Sequence, residues 1–358
     1  MDKNIAFALG GLAGNDAHGA GFLQAAFETG IEPRMISFSS GQVLWVFRYL
    51  QQKMYKEHKP NLRKLLEKDI KKMAPTRSYD VDTALLFLFG VSDVYRPAFP
   101  EFFTDLLING AHFFSSVLNK WPNVFLTREL FESVPGRLLT PQFPDSFFKD
   151  ISEAFNDETG IGIIFNSFDP LTGTELVYLN ETAEKLEAAS KSKYRWRTEY
   201  CKITPGAERD AIRLYEYGFG GDYRGHLDGA YYRQIMLSEL AFATDIFVAR
   251  PINYQWIGDS LPTGLAGVDD LKTKVGFNGS YAGERDKINL INKLIDDEAL
   301  GPPYKKINLI EIEMELHRGY FDYIYESLEV FDLACKCAQE KFQELARCDS
   351  SQDACMSA

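Results

Sequence analysis

Positive charge is in short supply. Lys and Arg number 39 against 51 Asp and Glu, giving a formal charge of −12, and a chain with a negative field lacks what a phosphate backbone requires, which opposes a nucleic-acid role. The same deficit opposes steady electrostatic docking on anionic lipid. A transient visit to a membrane surface stays compatible, because buried apolar area can drive it without basic residues. Long apolar runs are missing as well. None reaches the roughly 18 residues needed to span a bilayer, and the apolar stretch after Met1-Asp2-Lys3-Asn4 stops at Gly10, short of a signal-peptide core. A cytoplasmic location is therefore expected. Cysteine is sparse. Cys201 stands alone, and Cys335, Cys337, Cys348 and Cys355 lie near the C-terminus. Cys335 and Cys337 fall in a helical pattern that turns them about 200° apart, which suits reduced thiols better than zinc, so no metal is expected.

What is present is ordinary for a globular chain with a sizeable core: 45% hydrophobic and 25% charged residues over a length of 358. There is no internal repeat and no low-complexity tract. A single α/β domain over residues 1–348 is expected, with a helical, aromatic-rich insertion at about 53–144 and a flexible tail at 349–358. Residues 4–9 read as a short buried strand, 10–14 as a glycine-rich turn, and 18–29 as a helix with Gly30 as its C-cap and Pro33 beyond. A second strand at 34–37 and a buried helix from Gly41 leave a turn of about four residues between them. That turn contains Ser39. The insertion carries Phe87, Phe89, Tyr95, Phe99, Phe102, Phe103, Phe113, Phe114, Trp121 and Phe125, rings that either line a pocket or form a core of their own. Strand patterns return at 161–166 and 175–179 around a turn at 169–173, and again at 246–249 and 307–312, the last two suiting the interior of a mostly parallel sheet. Helical spacing then runs from Tyr320 to Leu345.

Three segments could carry chemistry. Ser37-Phe38-Ser39-Ser40-Gly41 lies between a strand and a helix, where a nucleophile elbow needs small residues two before and two after its serine. Centring on Ser39 supplies Ser37 and Gly41; centring on Ser40 supplies Phe38 and Gln42. Sterics choose Ser39. Gly10-Gly11-Leu12-Ala13-Gly14 leads into the first helix, and glycines there free backbone N–H groups to receive an oxyanion or a phosphate. Its spacing does not make a dinucleotide fingerprint, and no Gly-Lys-Ser/Thr follows. His226-Leu227-Asp228-Gly229-Ala230 is the third, a common turn sequence when taken alone.

In this order the three segments, IAFALGGLAGNDAHGAGFLQA, MISFSSGQVLW and HLDGAYYRQIMLSELAFATDIFVARP, resemble the patatin-like phospholipase family. That family joins a glycine-rich oxyanion loop, a Gly-x-Ser-x-Gly elbow and an Asp-Gly-Gly or Asp-Gly-Ala motif. GIGIIFNSFDPLTGTELVYLN and INLIEIEMELHRGYFDYIYESLE look similar to its later strands, and residues 53–144 match least. The resemblance implies a three-layer α/β/α fold with a mostly parallel central sheet, and a lipid acyl hydrolase working through an acyl-enzyme. It implies a Ser39–Asp228 dyad, with the amides of Gly10, Gly11 and Leu12 as oxyanion hole, no cofactor, and a lipid or acyl-ester substrate. Acyl transfer on the same dyad and a catalytically inactive lipid- or protein-binding scaffold are the alternatives. Asn15 stands where the family usually has a basic residue, and Ser37 where the elbow has its first glycine. A histidine base would have to be drawn from His18, His58, His112, His226 or His317; His226 is nearest to Asp228 in sequence and His18 sits beside the glycine-rich loop, yet neither lies in the late position of an α/β-hydrolase base.

Overall fold

The computed structural model describes residues 4–12, 16–54, 61–73, 95–120, 136, 139–141, 143–157, 160–190, 196–215, 225–256, 260–302, 304–314 and 327–356. Short apolar runs become the interior strands β1 (Ile5–Leu9), β2 (Met35–Phe38) and β9 (Asp245–Ala249), which are buried almost throughout. The longer β5 (Gly162–Asp169) and β6 (Thr174–Leu179) form a hairpin about the turn at 170–173. With β7 (Thr198–Lys202), β8 (Leu227–Asp228) and β10 (Asn308–Ile312) they make one eight-stranded sheet in the order β10-β9-β1-β2-β5-β6-β7, β8 pairing with β5. All neighbours are parallel except β5 with β6 and β5 with β8.

Alternation along the strands sends side chains to two faces. Phe7, Leu9, Ile36, Phe38, Phe165 and Phe247 enter one core, beneath α1 (Ala17–Thr29), α2 (Gln42–Met54), α5 (Asp145–Asn156) and α9 (Leu328–Met356). Ala6, Ala8, Met35, Ile164, Ile246 and Val248 enter a second, which Ala183 of α6 (Glu181–Ser190) and Tyr281 and Ile288 of α8 (Leu265–Asp296) close. The molecule is thus a three-layer α/β/α sandwich. Each fully buried Phe contributes roughly 2 kcal/mol by removing its ring from water. Phe7, Phe22 and Phe342 hold α1 and α9 against the sheet in this way, with Phe7 edge-on to Phe22 at 4.8 Å. Gly30 closes α1 at φ 71, as its position after the last apolar residue predicts.

Two sequence expectations change. The start of the supposed insertion is part of the main body, since α3 (Leu62–Met73) buries Leu62 and Leu66 in the first core and Arg63 pairs with Asp332 on α9. Residues 349–356, expected as a flexible tail, continue α9, because the stretch from Leu328 to Met356 contains no Gly or Pro to break it. The rest of the insertion that is described comprises a small antiparallel pair, β3 (Tyr95–Pro97) with β4 (Leu139–Pro141), and α4 (Phe99–Lys120). Phe103 and Phe114 of α4 are exposed at 55% and 67%, so these two rings form no core of their own. Phe87, Phe89, Trp121 and Phe125 lie outside the described residues. The remaining short helix, α7 (Pro205–Ala211), is capped by Thr204. No helix among the described residues is long and apolar enough to cross a membrane.

Candidate active site

Chain order and sheet order part company at β1. The chain moves from β1 to β2 on one side and returns much later with β9 on the other, and crevices outside the carboxyl ends of strands at such a switch point are where open α/β sheets bind ligands. Gly10, Gly11 and Leu12 leave β1 at this point, and Ser39 and Ser40 leave β2 beside them.

β2 ends at Phe38 for a reason visible in the register. Along one edge of β5, Gly162 to Phe165 pair with Met35 to Phe38, and then Ser167 and Phe168 pair with Asp228 and Leu227. The other edge of β5 is filled by β6. β8 therefore runs in line with β2 and occupies the place that β2 vacates when it turns away. Asp228 is brought to the exit of the Ser-Ser turn, although 189 positions separate it from Ser39 in the chain.

Ser39 and Ser40 play different parts in that turn. Ser39 is fully buried, its hydroxyl donates to the Gln234 carbonyl at 2.7 Å, and it accepts from the Gly11 amide at 3.0 Å. Ser37 likewise donates to the Met236 carbonyl at 2.7 Å. These hydroxyls point to the side of the sheet that holds residues 234–236, whereas Asp228, opposite Ser167, shares the side of Phe38 and Phe165. The Ser39–Asp228 pairing expected from sequence is thus not formed. The strained residue of the turn is Ser40, at φ 57, a left-handed conformation that is uncommon outside glycine and gathers at functional bends. Ser40 is 2% exposed, and its hydroxyl makes no hydrogen bond among the described residues.

The steric rule that favoured Ser39 is met from elsewhere in the fold. Gln42, two after Ser40, finds its room on α1, where a Cβ on Gly19 would lie 2.1 Å from Gln42 Oε1. Phe38, two before, turns into the first core and stacks on Phe165 at 5.4 Å. Gly11 lies so close over the turn that a Cβ there would meet both the Ser39 carbonyl and Ser40 Cβ at 2.3 Å. Only glycine fits against the bend.

The three amides expected to receive an oxyanion all have partners within the protein. Gly10 N–H donates to the Ala249 carbonyl at 3.2 Å, Gly11 N–H to Ser39 Oγ at 3.0 Å, and Leu12 N–H to Asp16 Oδ1 at 3.0 Å. Asp16, which the motifs did not single out, is 2% exposed. Burial holds its carboxyl well above the usual carboxylate range; the Leu12 N–H pulls it back, and the charge of Asp228 raises it further. Asp228 is 1% exposed and accepts from the Ala230 amide at 2.8 Å. Two buried carboxyl groups therefore sit within electrostatic reach of each other at the turn. Ala13, Gly14 and Asn15 lie outside the described residues.

His18 and His226 serve other groups. His18 Nε2 donates to the Gly10 carbonyl at 2.8 Å, and His226 Nδ1 pairs with Asp210 Oδ2 at 2.8 Å, a bond that raises the His226 pKa. What fixes the segment after Asp228 is Arg233, buried to 2% and bonded to Glu175 on β6 and bidentately to Glu239, with Glu284 of α8 at 3.4 Å. Gln234 then reaches back to the Gly11 carbonyl at 2.7 Å. No periodicity marks Arg233, two of whose acidic partners, Glu175 and Glu284, come from distant segments and the third, Glu239, from six residues further along its own. Ser40 and Asp16 did leave signals: the apolar strand pattern runs out at Phe38, and Asp16 occupies the position just before a helix. Compared with protein-family models the sequence matches none. No curated protein matches it either.

Proposed function

We propose that the chain is a serine acyl hydrolase of the patatin-like kind, with Ser40 rather than Ser39 as nucleophile and Asp228 as its base. The observation that carries this reading is the left-handed Ser40 at the exit of β2, with β8 delivering a buried aspartate to the same place. In the reaction, Ser40 Oγ attacks an ester carbonyl while its proton passes to the Asp228 carboxylate. The tetrahedral intermediate expels the alcohol, which takes that proton; water then repeats the sequence and releases the acid. Leu12, Ile252, Phe277 and Tyr231 pack together beside the glycine loop, and such an apolar wall suits an acyl chain. The substrate class is a carboxylic ester with an apolar acyl group, a lipid ester included.

The occupied amides favour a second reading, in which the same fold binds ligands without turning them over. A fluorophosphonate probe and a p-nitrophenyl ester separate the two. Wild type should label at Ser40 and release p-nitrophenol; Ser40→Ala should do neither, and Asp228→Asn should slow both by about a thousandfold, the scale of a lost general base. Ser39→Ala should keep the reactive serine. Labelling that survives Ser40→Ala, or a wild type inert to probe and ester alike, would discard the hydrolase.

A further inference from the structure

Leu171 and Trp196 are the two most exposed large apolar side chains among the described residues, at 79% and 80%. Both are carried by well-tied backbone. Leu171 lies at the tip of the β5–β6 hairpin, where Asp169 accepts from the Leu171 amide at 2.8 Å and from Thr172 Oγ1 at 2.7 Å, and Gly173 turns at φ 69. Trp196 lies just before β7, and the residue after it joins it to that tip. Arg197 donates from Nη1 to the Thr172 carbonyl at 2.9 Å and holds its guanidinium over the Trp196 ring at 4.9 Å. Its φ is 53, a left-handed conformation that an arginine keeps only where the surrounding structure imposes it.

This corner is at the same end of the sheet as the serine turn. β5 pairs with β2 as far as Phe165 opposite Phe38, and then runs on to Asp169 before turning. At about 3.3 Å per residue the hairpin tip stands roughly 13 Å beyond the point where β2 leaves the sheet. The local charge also departs from that of the whole chain. Residues 191–197 hold Lys191, Lys193, Arg195 and Arg197 and no acid, in a chain whose net charge is −12. Chain connectivity alone keeps those cations within about 18 Å of Trp196.

We propose that Leu171 and Trp196, with the positive charge around them, form a docking surface for an anionic lipid membrane. Its use in turnover rests on the hydrolase reading, because it would bring the serine turn to an ester-bearing surface; the binding itself does not. Two side chains on a hairpin tip offer a few hundred Å² at most, well short of the roughly 800 Å² per partner of a stable protein interface. A bilayer asks for less, since a few inserted apolar groups and nearby cations act together. Tryptophan is suited to the headgroup level, where its ring is buried and its N–H stays wet. The acidic remainder of the chain opposes docking through its other surfaces, which makes the contact directional.

The test uses the full chain and vesicles of ether-linked phosphatidylcholine with about 30% ether-linked phosphatidylglycerol, lipids that offer no ester to cleave. Wild type should sediment with them about tenfold better than with phosphatidylcholine alone, and lose most of that advantage at about 0.5 M salt. The double variant Leu171→Ser, Trp196→Ser should bind at least about tenfold more weakly, with an unchanged urea midpoint because both side chains are exposed. Trp196→Phe should still bind while losing most of the tryptophan quenching that bromolipid causes in wild type. A wild type that ignores anionic vesicles, a double variant that binds as wild type does, or bromolipid quenching that survives Trp196→Phe would overturn the proposal. So would self-association that the double variant abolishes in the absence of vesicle binding, since the occupant would then be a second copy of the chain. Fluorophosphonate labelling separates this inference from the hydrolase. The double variant should label as wild type does, because neither residue belongs to the serine turn; vesicle binding by a wild type that never labels leaves the docking surface standing and removes the enzyme.

Discussion

Two adjacent serines with the same side chain are set to different tasks by the backbone between them. Ser39 joins three segments, so Ser39→Ala strands the buried Gly11 N–H and the Gln234 carbonyl and should cost about 1–3 kcal/mol, read as a lower urea midpoint. Ser40→Ala removes a hydroxyl with no hydrogen bond among the described residues and should change stability by less than about 0.5 kcal/mol. The crossed pattern, stability lost at Ser39 and reactivity lost at Ser40, is the signature to look for. Gly19→Ala should destabilise by about 1–3 kcal/mol through its clash with Gln42, and Gln42→Ala should recover most of that in the double variant. Here lies the reason that the local motif favoured Ser39 while the strained backbone falls on Ser40. An elbow needs space on both flanks, and the rule assumes that its own residues supply it. In this chain Gly19, on another helix, supplies it for Gln42, and no reading of residues 37–41 alone contains that fact.

Among the elements, those built from continuous apolar runs were legible: β1, β2, β5, β6, β9, β10 and the helices α1 and α2 stand close to where hydrophobic patterning puts them. The two-residue β8 has no pattern to read, and α8, 32 residues long with Phe277, Tyr281 and Ile288 widely spaced on its buried side, gives only a faint one. Arg233 binds these elements to the site. Arg233→Met would leave Glu175, Glu239 and Glu284 buried without their shared cation and should cost about 3–5 kcal/mol, with the urea midpoint as the measure. Glu208 on α7 acts in the opposite sense. Burial pushes its carboxyl up to about 8. The folded chain therefore keeps a proton that the unfolded chain releases near pH 4.3, and stability should fall as pH rises from about 4.3 to 8 and then level off. Glu208→Gln should flatten that slope and stabilise the fold by roughly 1–3 kcal/mol at pH 8. Urea melts between pH 5 and 9 would show no difference in slope if the expectation is wrong.

At the scale of the molecule, the centre of the sheet is assembled from segments far apart in the chain. Asn4 N donates to Thr244 Oγ1, 240 residues away, and β1 pairs along its whole length with β9. A chain ended at Thr244 should therefore lack a cooperative thermal transition and be cleaved rapidly by protease, since β1, Gly10 included, would lose the partner that fixes the glycine loop. Patterning gave an α/β chain with a mostly parallel sheet and the family resemblance implied the three layers, whereas the distant pairing that puts Asp228 beside the serine turn was not legible, because register is a property of the assembled sheet. The same pairing sets a clock on the ribosome. At a translation rate of about 5–20 residues per second, on the order of ten to fifty seconds separate the synthesis of β1 from that of β9. For that interval the nascent protein carries an apolar strand with one side unclaimed, a ready target for holdase chaperones or for a neighbouring polysome's product.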